Sequence, residues 1–222
     1  MSDTIQAISR ALSADVEGIN AVSHNVANIS TPGYQSVRSI PDFAATLGTR
    51  SVVQVADGPL AQTGRAFDLA LRGPGFFVCE HEGKPLLVRS GSFSRSPAGY
   101  LVNANGDPVQ TVGGPVEIPD GKLQVGGDGT IRVDEKPLGQ LLLVDVSDPA
   151  KLVPASGGYL YDGAFKPWSG SVQQGAVEQS NVDAAEQTLR LIELTRHAES
   201  MQRAFSIYDK TMDTGINRVG DN

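Results

Sequence analysis

The three histidines of this chain, a residue type that often carries catalysis, lie far apart in the sequence, and the chain has a single cysteine. They are His24, His81, His197 and Cys79. None of them has the spacing from another histidine or cysteine that a metal site requires. The segment from Asn103 to Asp107 resembles the beginning of a calcium-binding loop, but Gly114 stands where such a loop needs a bidentate glutamate. These residues therefore predict no metal site.

The glycine-containing segments predict no phosphate or nucleophile site either. Gly73-Pro74-Gly75 does not continue into G-x-G-x-x-G, and no helical pattern follows it. The sequence contains no G-x-S-x-G turn of the kind that serine hydrolases use. Cys79 lies in an apolar, strand-like run and is expected to be a small core residue. We therefore expect no enzymatic activity, no cofactor and no small-molecule substrate.

Composition and charge exclude further classes of partner. The 222 residues are 40% hydrophobic and 19% charged, with a net charge of −7 at pH 7. An acidic chain favours neither the DNA nor the RNA backbone, so we expect no nucleic-acid partner. No apolar run approaches the roughly 20 residues of a membrane-spanning helix, so we expect no membrane insertion. The N-terminus lacks the basic and apolar regions of a cleaved signal peptide, which by itself would indicate the cytoplasm.

An apolar stripe runs along the N-terminal segment. A heptad pattern places apolar residues at every a and d position except Asp15. The positions are Ile5, Ile8, Leu12, Asp15, Ile19, Val22, Val26 and Ile29. The pattern predicts a helix over residues 4–27, whose stripe either packs on the protein's own core or forms a coiled-coil seam.

A second apolar stripe runs along the C-terminal segment. Asp183 and Glu186 form a capping-box-like start for a helix that is predicted to extend to Asn217. The stripe is Leu191, Leu194, Ala198, Met201, Phe205, Tyr208 and Met212. Because an uncovered apolar stripe is unstable in water, we expect the two terminal helices to pair with each other and then with neighbouring subunits.

The pattern between the two stripes is typical of short β-strands that end at glycine or proline. Of the 25 glycines, 21 lie between Gly48 and Gly175, so turns are concentrated in this part of the chain. The candidate strands are Ser51–Val55, Leu69–Leu71, Phe76–Glu80, Pro85–Arg89, Phe93–Arg95, Tyr100–Val102, Val116–Ile118, Leu123–Val125, Ile131–Val133 and Leu141–Val146. No helical period separates them, so parallel β-α-β units are not expected.

These patterns together predict an α+β protein. The N- and C-terminal helices are expected to form an antiparallel, coiled-coil-like domain. The centre is expected to be an all-β domain, with antiparallel strands in a distorted sandwich or a partly open barrel. The predicted divisions are residues 1–47, 48–174 and 175–222.

Four segments carry a more specific signal. They read NVANISTPGY at 25–34, FDLALRGPGFFV at 67–78, RSGSF at 89–93 with GYLVNANGDPV at 99–109, and GAVEQSNVD at 175–183. Their spelling and order resemble the bacterial flagellar axial proteins, the rod and hook family. The residues that we single out in these motifs are Asn25, Asn28, Thr31, Pro32, Gly33, Tyr34, Gly73, Gly75, Phe76, Phe77, Ser180, Asn181, Val182 and Asp183.

The resemblance implies a structural subunit of the flagellar basal-body rod that polymerises helically through its terminal helices. The short segment between Phe43 and Val53 looks more like the proximal-rod protein than a distal-rod or short hook protein. The implied partners are further copies of the chain, other rod and hook subunits and the type III export apparatus. The implied location is the basal body in the periplasm. His197 departs from the family's frequent arginine-aromatic spelling in the C-terminal helix.

One interpretation from another class stays open at this stage. The chain could be a β-rich module that binds cell-wall glycan and uses its helices to oligomerise. Its sugar-stacking face would consist of Tyr100, Tyr159, Tyr161 and Trp168.

Overall fold

Two long α-helices lie at the ends of the described chain, with short β-strands between them. The structure, a computed structural model, describes residues 2–42 and 48–220, and it describes side chains at residues 5–40, 49–208, 210 and 211. Helix α1 is Ser2–Ala27 and helix α2 is Ala184–Gly220. Both predicted helices are confirmed, and each is slightly longer than the pattern indicated. At about 1.5 Å per residue they are about 39 Å and 55 Å long.

Local hydrogen bonds mark the C-terminal end of α1 and the N-terminal end of α2. Helix α2 begins at Ala184 because the Asp183 carboxylate accepts hydrogen bonds from the backbone N–H groups of Ala185 (2.8 Å) and Glu186 (3.2 Å). The chain leaves α1 through a turn in which the Thr31 N–H donates to the Asn28 carbonyl at 3.0 Å. The Thr31 hydroxyl also donates to the Asn28 side chain at 3.2 Å.

The strands are β1 Val37–Asp42, β2 Gly48–Val53, β3 Leu60–Gln62, β4 Leu69–Arg72, β5 Phe76–His81, β6 Lys84–Val88, β7 Ser94–Arg95, β8 Leu101–Val102, β9 Gln110–Thr111, β10 Gly114–Pro115, β11 Leu123–Val125, β12 Thr130–Val133, β13 Lys136–Gln140, β14 Leu143–Val146, β15 Val153–Ala155, β16 Gly158–Leu160, β17 Phe165–Pro167, β18 Ser171–Gln174 and β19 Ala176–Glu178. A short 3₁₀ helix covers Pro149–Lys151. The chain is therefore an α+β protein with an antiparallel β-rich centre, as predicted.

One predicted strand is wrong. Val116 and Ile118 are buried, but this segment makes only an isolated bridge, between Glu117 and Tyr100. Pro115 and Pro119 flank it, and a proline cannot donate to a β-ladder.

The largest sheet has six strands in the order β15-β16-β6-β5-β14-β17, and all its pairs are antiparallel. Its two central strands, β5 and β6, are joined by a turn at Glu82 and Gly83, both with positive φ. Strand β4 pairs with β18, and β3 pairs with β19. The last two strands before α2 therefore lie beside β3 and β4.

Strands β5 and β6 are buried on both faces because their side chains enter two separate cores. Phe77 and Val88 enter the larger core, whereas Phe76 and Leu87 enter the smaller one. This alternation is the period of two residues that a strand imposes. The aromatic residues Phe76, Phe77 and Phe93 are fully buried, whereas Tyr100 is 37% exposed.

Two compact units divide the chain. Residues 1–26, 37–51 and 183–222 form one, which we call the helical unit, and residues 27–36 and 52–182 form the other, which we call the β-rich unit. Across the described ranges, neither helix combines the length and the apolar character that a bilayer crossing requires.

Candidate assembly interface

Helices α1 and α2 of the helical unit lie side by side in opposite directions. Asn25 donates from Nδ2 to Oε1 of Gln187 at 3.0 Å, and both residues are buried. Seven residues earlier on α1, a Cβ at Gly18 would lie 3.0 Å from both Cδ atoms of Leu194, seven residues later on α2. A glycine at this position therefore lets the leucine pack directly against the α1 backbone.

The predicted interface residues divide between this contact face and the outside of the pair. The buried members are Val22 and Leu194. The half-buried members are Ile8, Leu12, Ile19, Ala198, Met201 and Tyr208. The exposed members are Ile5, Val26, Leu191 and Phe205. Met212 belongs to α2, but its side chain lies outside the described residues.

Further apolar residues outside the predicted heptad positions face solvent. Val16 on α1 is 50% exposed, and Leu189, Ile192 and Ile207 on α2 are 64%, 45% and 66% exposed. A heptad assigns one stripe to a helix, so it does not identify apolar residues beside that stripe. The helical unit thus has an inner apolar face that it covers itself and outer apolar residues that it leaves uncovered.

Asn25 joins the helix to the chain that leaves it. Its Nδ2 donates to the Val37 carbonyl at 2.9 Å, and its Oδ1 accepts from the Val37 N–H at 2.8 Å. The side-chain amide therefore pairs with β1 as a neighbouring strand would. This fixes where the first strand of the helical unit begins.

Gly33 occupies a position in the β-rich unit that admits no side chain. Its φ is +70°, and a Cβ there would lie 2.3 Å from the backbone nitrogen of Ser90. Its N–H donates to the Glu178 carbonyl at 2.8 Å. Pro32 precedes it and is half-buried. The family-like spelling at this turn thus places the exit from α1 against the strand that leads into α2.

Arg89 is the centre of a buried polar cluster in the same unit. Its side chain is fully buried and donates from Nε to Oε2 of Glu178 at 2.6 Å, where the glutamate is also fully buried. Its guanidinium also donates to the Gly73 carbonyl at 2.9 Å and the Gly75 carbonyl at 2.7 Å. A fourth contact, at 3.0 Å, reaches the half-exposed carboxylate of Asp57. Such a cluster is stable only because each buried charge is paired and hydrogen-bonded.

Glu178 completes the cluster from the other side. Its Oε1 accepts from the Gly58 N–H at 2.9 Å and from Nε2 of Gln35 at 3.2 Å. Burial raises the pKa of the Glu178 carboxyl, while Arg89 and the Gly58 N–H oppose that shift.

Asn181 performs the same bridging role with its amide. Its Oδ1 accepts from the Ser36 N–H at 2.7 Å, and its Nδ2 donates to Gln35 Oε1 and to the carbonyls of Gln54 and Ala56. The neighbouring Asn181 N–H donates to the Tyr34 carbonyl at 3.3 Å, and the Ser180 hydroxyl accepts from the backbone N–H of the half-buried Val182 at 3.3 Å.

The structure therefore brings together motif residues that lie at opposite ends of the sequence. Residues 33–36, 73–75 and 178–181 meet around Arg89. Sequence reasoning did not single out Gln35, Asp57, Arg89 or Glu178 as site residues. The available signal was a charged residue directly after an apolar strand-like run, at Arg89 after Val88 and at Glu178 after Val177.

Of the residues first considered for chemistry, Cys79 and His81 lie on strand β5, His24 lies on α1 and His197 lies on α2. His81 Nδ1 lies 2.7 Å from Oδ1 of Asp107, and this hydrogen bond raises the pKa of His81. Cys79 is buried, and burial raises the pKa of its thiol to about 12. No group of three or more metal-ligating side chains occurs among the residues that the structure describes.

The four aromatic residues of the glycan-binding hypothesis do not share an exposed face. Tyr159 is buried and packs edge-on against Phe76 in the smaller core. Trp168 packs against the larger core instead. A sugar-stacking surface needs several exposed rings side by side, so this geometry does not favour that hypothesis.

Two known protein families match parts of the chain. Residues 70–133 match the flagellar hook protein FlgE/F/G D1 domain. Residues 173–218 match the flagellar basal body rod FlgEFG protein C-terminal region.

Curated relatives match over nearly the whole chain. A flagellar basal-body rod protein FlgF from Caulobacter vibrioides is 30% identical over 225 residues, with 91% of each chain covered. A FlgF protein from Rhizobium meliloti is 27% identical with the same coverage of both chains. A flagellar basal-body rod protein FlgG from Agrobacterium fabrum is 27% identical over 246 residues, again with 91% of each chain covered.

Proposed function

The chain belongs to the family of flagellar basal-body rod proteins, and we propose on that premise that it is a structural subunit of the rod, in its proximal part. In this role it polymerises through its terminal helices into the hollow shaft that transmits torque for motility. The family consists of structural proteins, not of enzymes. The FlgF relatives and the short segment between Phe43 and Val53 support the proximal position; residues 43–47 of that segment lie outside the described residues. A distal-rod or short hook protein of the same family is the second candidate.

The observation that carries the proposal is the set of outer apolar side chains on the two helices. Leu189, Ile192 and Ile207 of α2 remain 45–66% exposed although α1 already covers one face of that helix. Apolar residues in such number on one element are typical of a surface that other chains cover. The β-rich unit, by contrast, buries its large side chains in two cores of its own.

The contacts between subunits are heterologous in this proposal. One face of the helix pair packs against a different face of the next subunit, which generates an open helical array rather than a closed dimer. We further propose the finer architecture that this requires, with the terminal helices in antiparallel coiled-coil-like pairing and the strands in a distorted sandwich or partly open barrel. The assembly partners are further copies of this chain and other rod and hook subunits.

The route to the rod is also a proposal. The family resemblance supports export through the flagellar type III apparatus, with the periplasmic part of the basal body as the destination. The chain is then part of the flagellum's basal body without nucleic acid, lipid or small-molecule partners.

The test is the variant Ile192→Glu, which places a charge on the outer face of α2. We expect loss of motility and of incorporation into purified basal bodies, with an unchanged far-ultraviolet circular dichroism spectrum. The matched control is Val112→Glu, which makes the same change at a 73% exposed apolar residue of the β-rich unit and should preserve motility. Normal swimming of the Ile192→Glu strain would overturn the proposal.

Leu194 is less suitable than Ile192 for testing the interface. Leu194 is only 8% exposed and packs against Gly18 within the same unit. A charge at Leu194 would therefore disrupt the subunit's own helix pair, whereas a charge at Ile192 acts on the outside.

A further inference from the structure

The six-stranded sheet of the β-rich unit ends in two strands with exposed apolar side chains. Strands β15 and β17 stand at opposite ends of its strand order. Val153 on β15 is 58% exposed, and Phe165 on β17 is 48% exposed. An exposed apolar edge strand is a template on which a strand of another chain can pair. The outer edges of β15 and β17 are therefore the places where copies of this sheet could join side by side.

The register of β17 turns Pro167 toward its outer edge. The Ser147 N–H donates to the Ala164 carbonyl at 3.2 Å, so the backbone of Ala164 faces the β14 side. Backbone groups alternate in direction along a strand, and the pairing continues without a shift to Val144 opposite Pro167. Phe165 and Pro167 therefore direct their backbone groups away from β14. At Pro167 the outer edge lacks a hydrogen-bond donor, because proline has no N–H group.

The register of the other strands turns Pro154 toward the opposite outer edge. The Val78 N–H donates to the carbonyl of Leu142, just before β14, at 3.3 Å, so Val78 faces away from β6. Opposite residues of an antiparallel pair either bond to each other or both face away. Leu87, opposite Val78, therefore faces β16 and bonds toward Tyr159. Pro154, opposite Tyr159, in turn faces away from β16.

Backbone groups on either side of Pro154 are already bonded within the chain. The Leu152 N–H donates to the Pro149 carbonyl at 3.2 Å. The Ser156 carbonyl accepts from Nδ2 of Asn105 at 3.0 Å. The β15 edge thus has a missing donor at its centre and a bonded group at each end.

We propose that Pro154 and Pro167 prevent the β15 edge of one copy from pairing with the β17 edge of a second copy. The two edges differ, so this pairing is heterologous, and its repetition would extend one sheet through an open row of copies. An exposed lysine accompanies the proline at each edge, Lys151 directly before β15 and Lys166 on β17. Proline and lysine are the residues that commonly keep edge strands from pairing.

The block concerns the β-rich unit, whereas the proposed function concerns the helices. Only the consequence for the rod rests on the proposed function: subunits crowded together in the shaft would not join through these sheet edges. The two proposals can therefore fail separately.

The experiment restores both donors in the full-length chain with Pro154→Val and Pro167→Val. We expect the double variant to keep the circular dichroism spectrum of the unaltered chain and to shift to faster-sedimenting species as its concentration rises. Both proteins are compared at each concentration, so association through the helices is common to them. The matched control is Pro97→Val with Pro119→Val, which makes the same changes at exposed prolines outside the strands and should sediment like the unaltered chain.

The single variants test which edges pair. Pro154→Val restores the donor of one edge, and Pro167→Val restores the donor of the other. Each variant alone should sediment like the unaltered chain, whereas an equimolar mixture should gain a species of two chains. The mixture also serves as the test if the double variant does not fold.

A folded double variant that sediments like the unaltered chain at every concentration would overturn the proposal. Equal association of the control variant would overturn it as well, because added valines would then explain the shift. Self-association of a single variant would contradict pairing between unlike edges. Sedimentation does not depend on motility, so failure of the proposed function would leave this result unchanged.

Discussion

Arg89 carries a charge that the β-rich unit removes completely from water. Its guanidinium has a carboxylate, two backbone carbonyls and a second, half-exposed carboxylate within hydrogen-bonding distance. Because those partners come from separate parts of the chain, one side chain holds together the segment before β3, the turn before β5 and the last strand before α2. Its role is therefore architectural.

Replacing Arg89 by methionine should lower the free energy of unfolding of the β-rich unit by about 3–5 kcal/mol, because Glu178 would remain as a buried charge without its partner. Denaturation followed by the fluorescence of Trp168, the single tryptophan, measures this change. The control is Arg72→Met, at an exposed arginine bonded to Gln173, where we expect a change within about 0.5 kcal/mol. Equal stability of the two variants would refute a structural role for the buried charge.

The hydrogen bond of His81 predicts that the stability of the β-rich unit depends on pH. Its hydrogen bond to Asp107 raises its pKa above the ordinary value of 6.5, so the folded state holds the proton more tightly than the unfolded state. The stabilisation is fully present below pH 6.5 and is lost as the pH rises through the raised pKa. Denaturation midpoints measured across this range should fall with pH in the unaltered chain, and His81→Gln should flatten that fall. An identical profile in both proteins would show that His81 does not contribute.

At the scale of elements, the turn after α1 requires a glycine at position 33 for two reasons, its backbone conformation and its close packing. Gly33 has positive φ and also lies against the backbone of Ser90, whereas Gly64 has nearly the same φ but open space where a side chain would be added. The two glycines therefore separate backbone strain from close packing.

Gly33→Ala and Gly64→Ala should both cost about 1–2 kcal/mol in backbone strain. Gly33→Ala should lower the free energy of unfolding by about 1–3 kcal/mol more, because the added methyl group would require the chain near Ser90 to move. Thermal or denaturant unfolding of the two variants gives the difference directly. Equal destabilisation would mean that the close approach to Ser90 is not needed for folding.

The helices were predictable because their patterns are long. An apolar stripe repeated over several turns predicted the ends of both helices to within a few residues, and Asp183 indicated the start of α2. Several strands were not predictable because they are short and have few apolar residues, as in β13 and β17. Their pairing comes from distant partners, which no local pattern contains.

The candidate site was predictable only in part for the same reason. The heptad identified residues on the helix stripes, but it could not separate Leu194, which the subunit covers itself, from Leu191, which it leaves 40% exposed. The Arg89–Glu178 contact joins residues 89 positions apart in sequence. Only the folded chain brings such charges together.

At the scale of the whole molecule, the two units differ in how far they cover their own apolar side chains. The β-rich unit is complete by itself, with two cores and a paired charge cluster. The helical unit covers one face of each helix and leaves apolar residues outside. The assembly proposed here would cover them with neighbouring chains.

The most direct test of this account is photo-crosslinking from Ile192 in assembled basal bodies. A photoreactive phenylalanine analogue at this position should yield products that contain two or more axial subunits, because the outer face of α2 contacts the next chain in the proposed assembly. The presence of the labelled chain in purified basal bodies is confirmed by immunoblot. If the labelled chain is present there and yields no product larger than a single subunit, the claim that this face forms the contact between subunits is wrong.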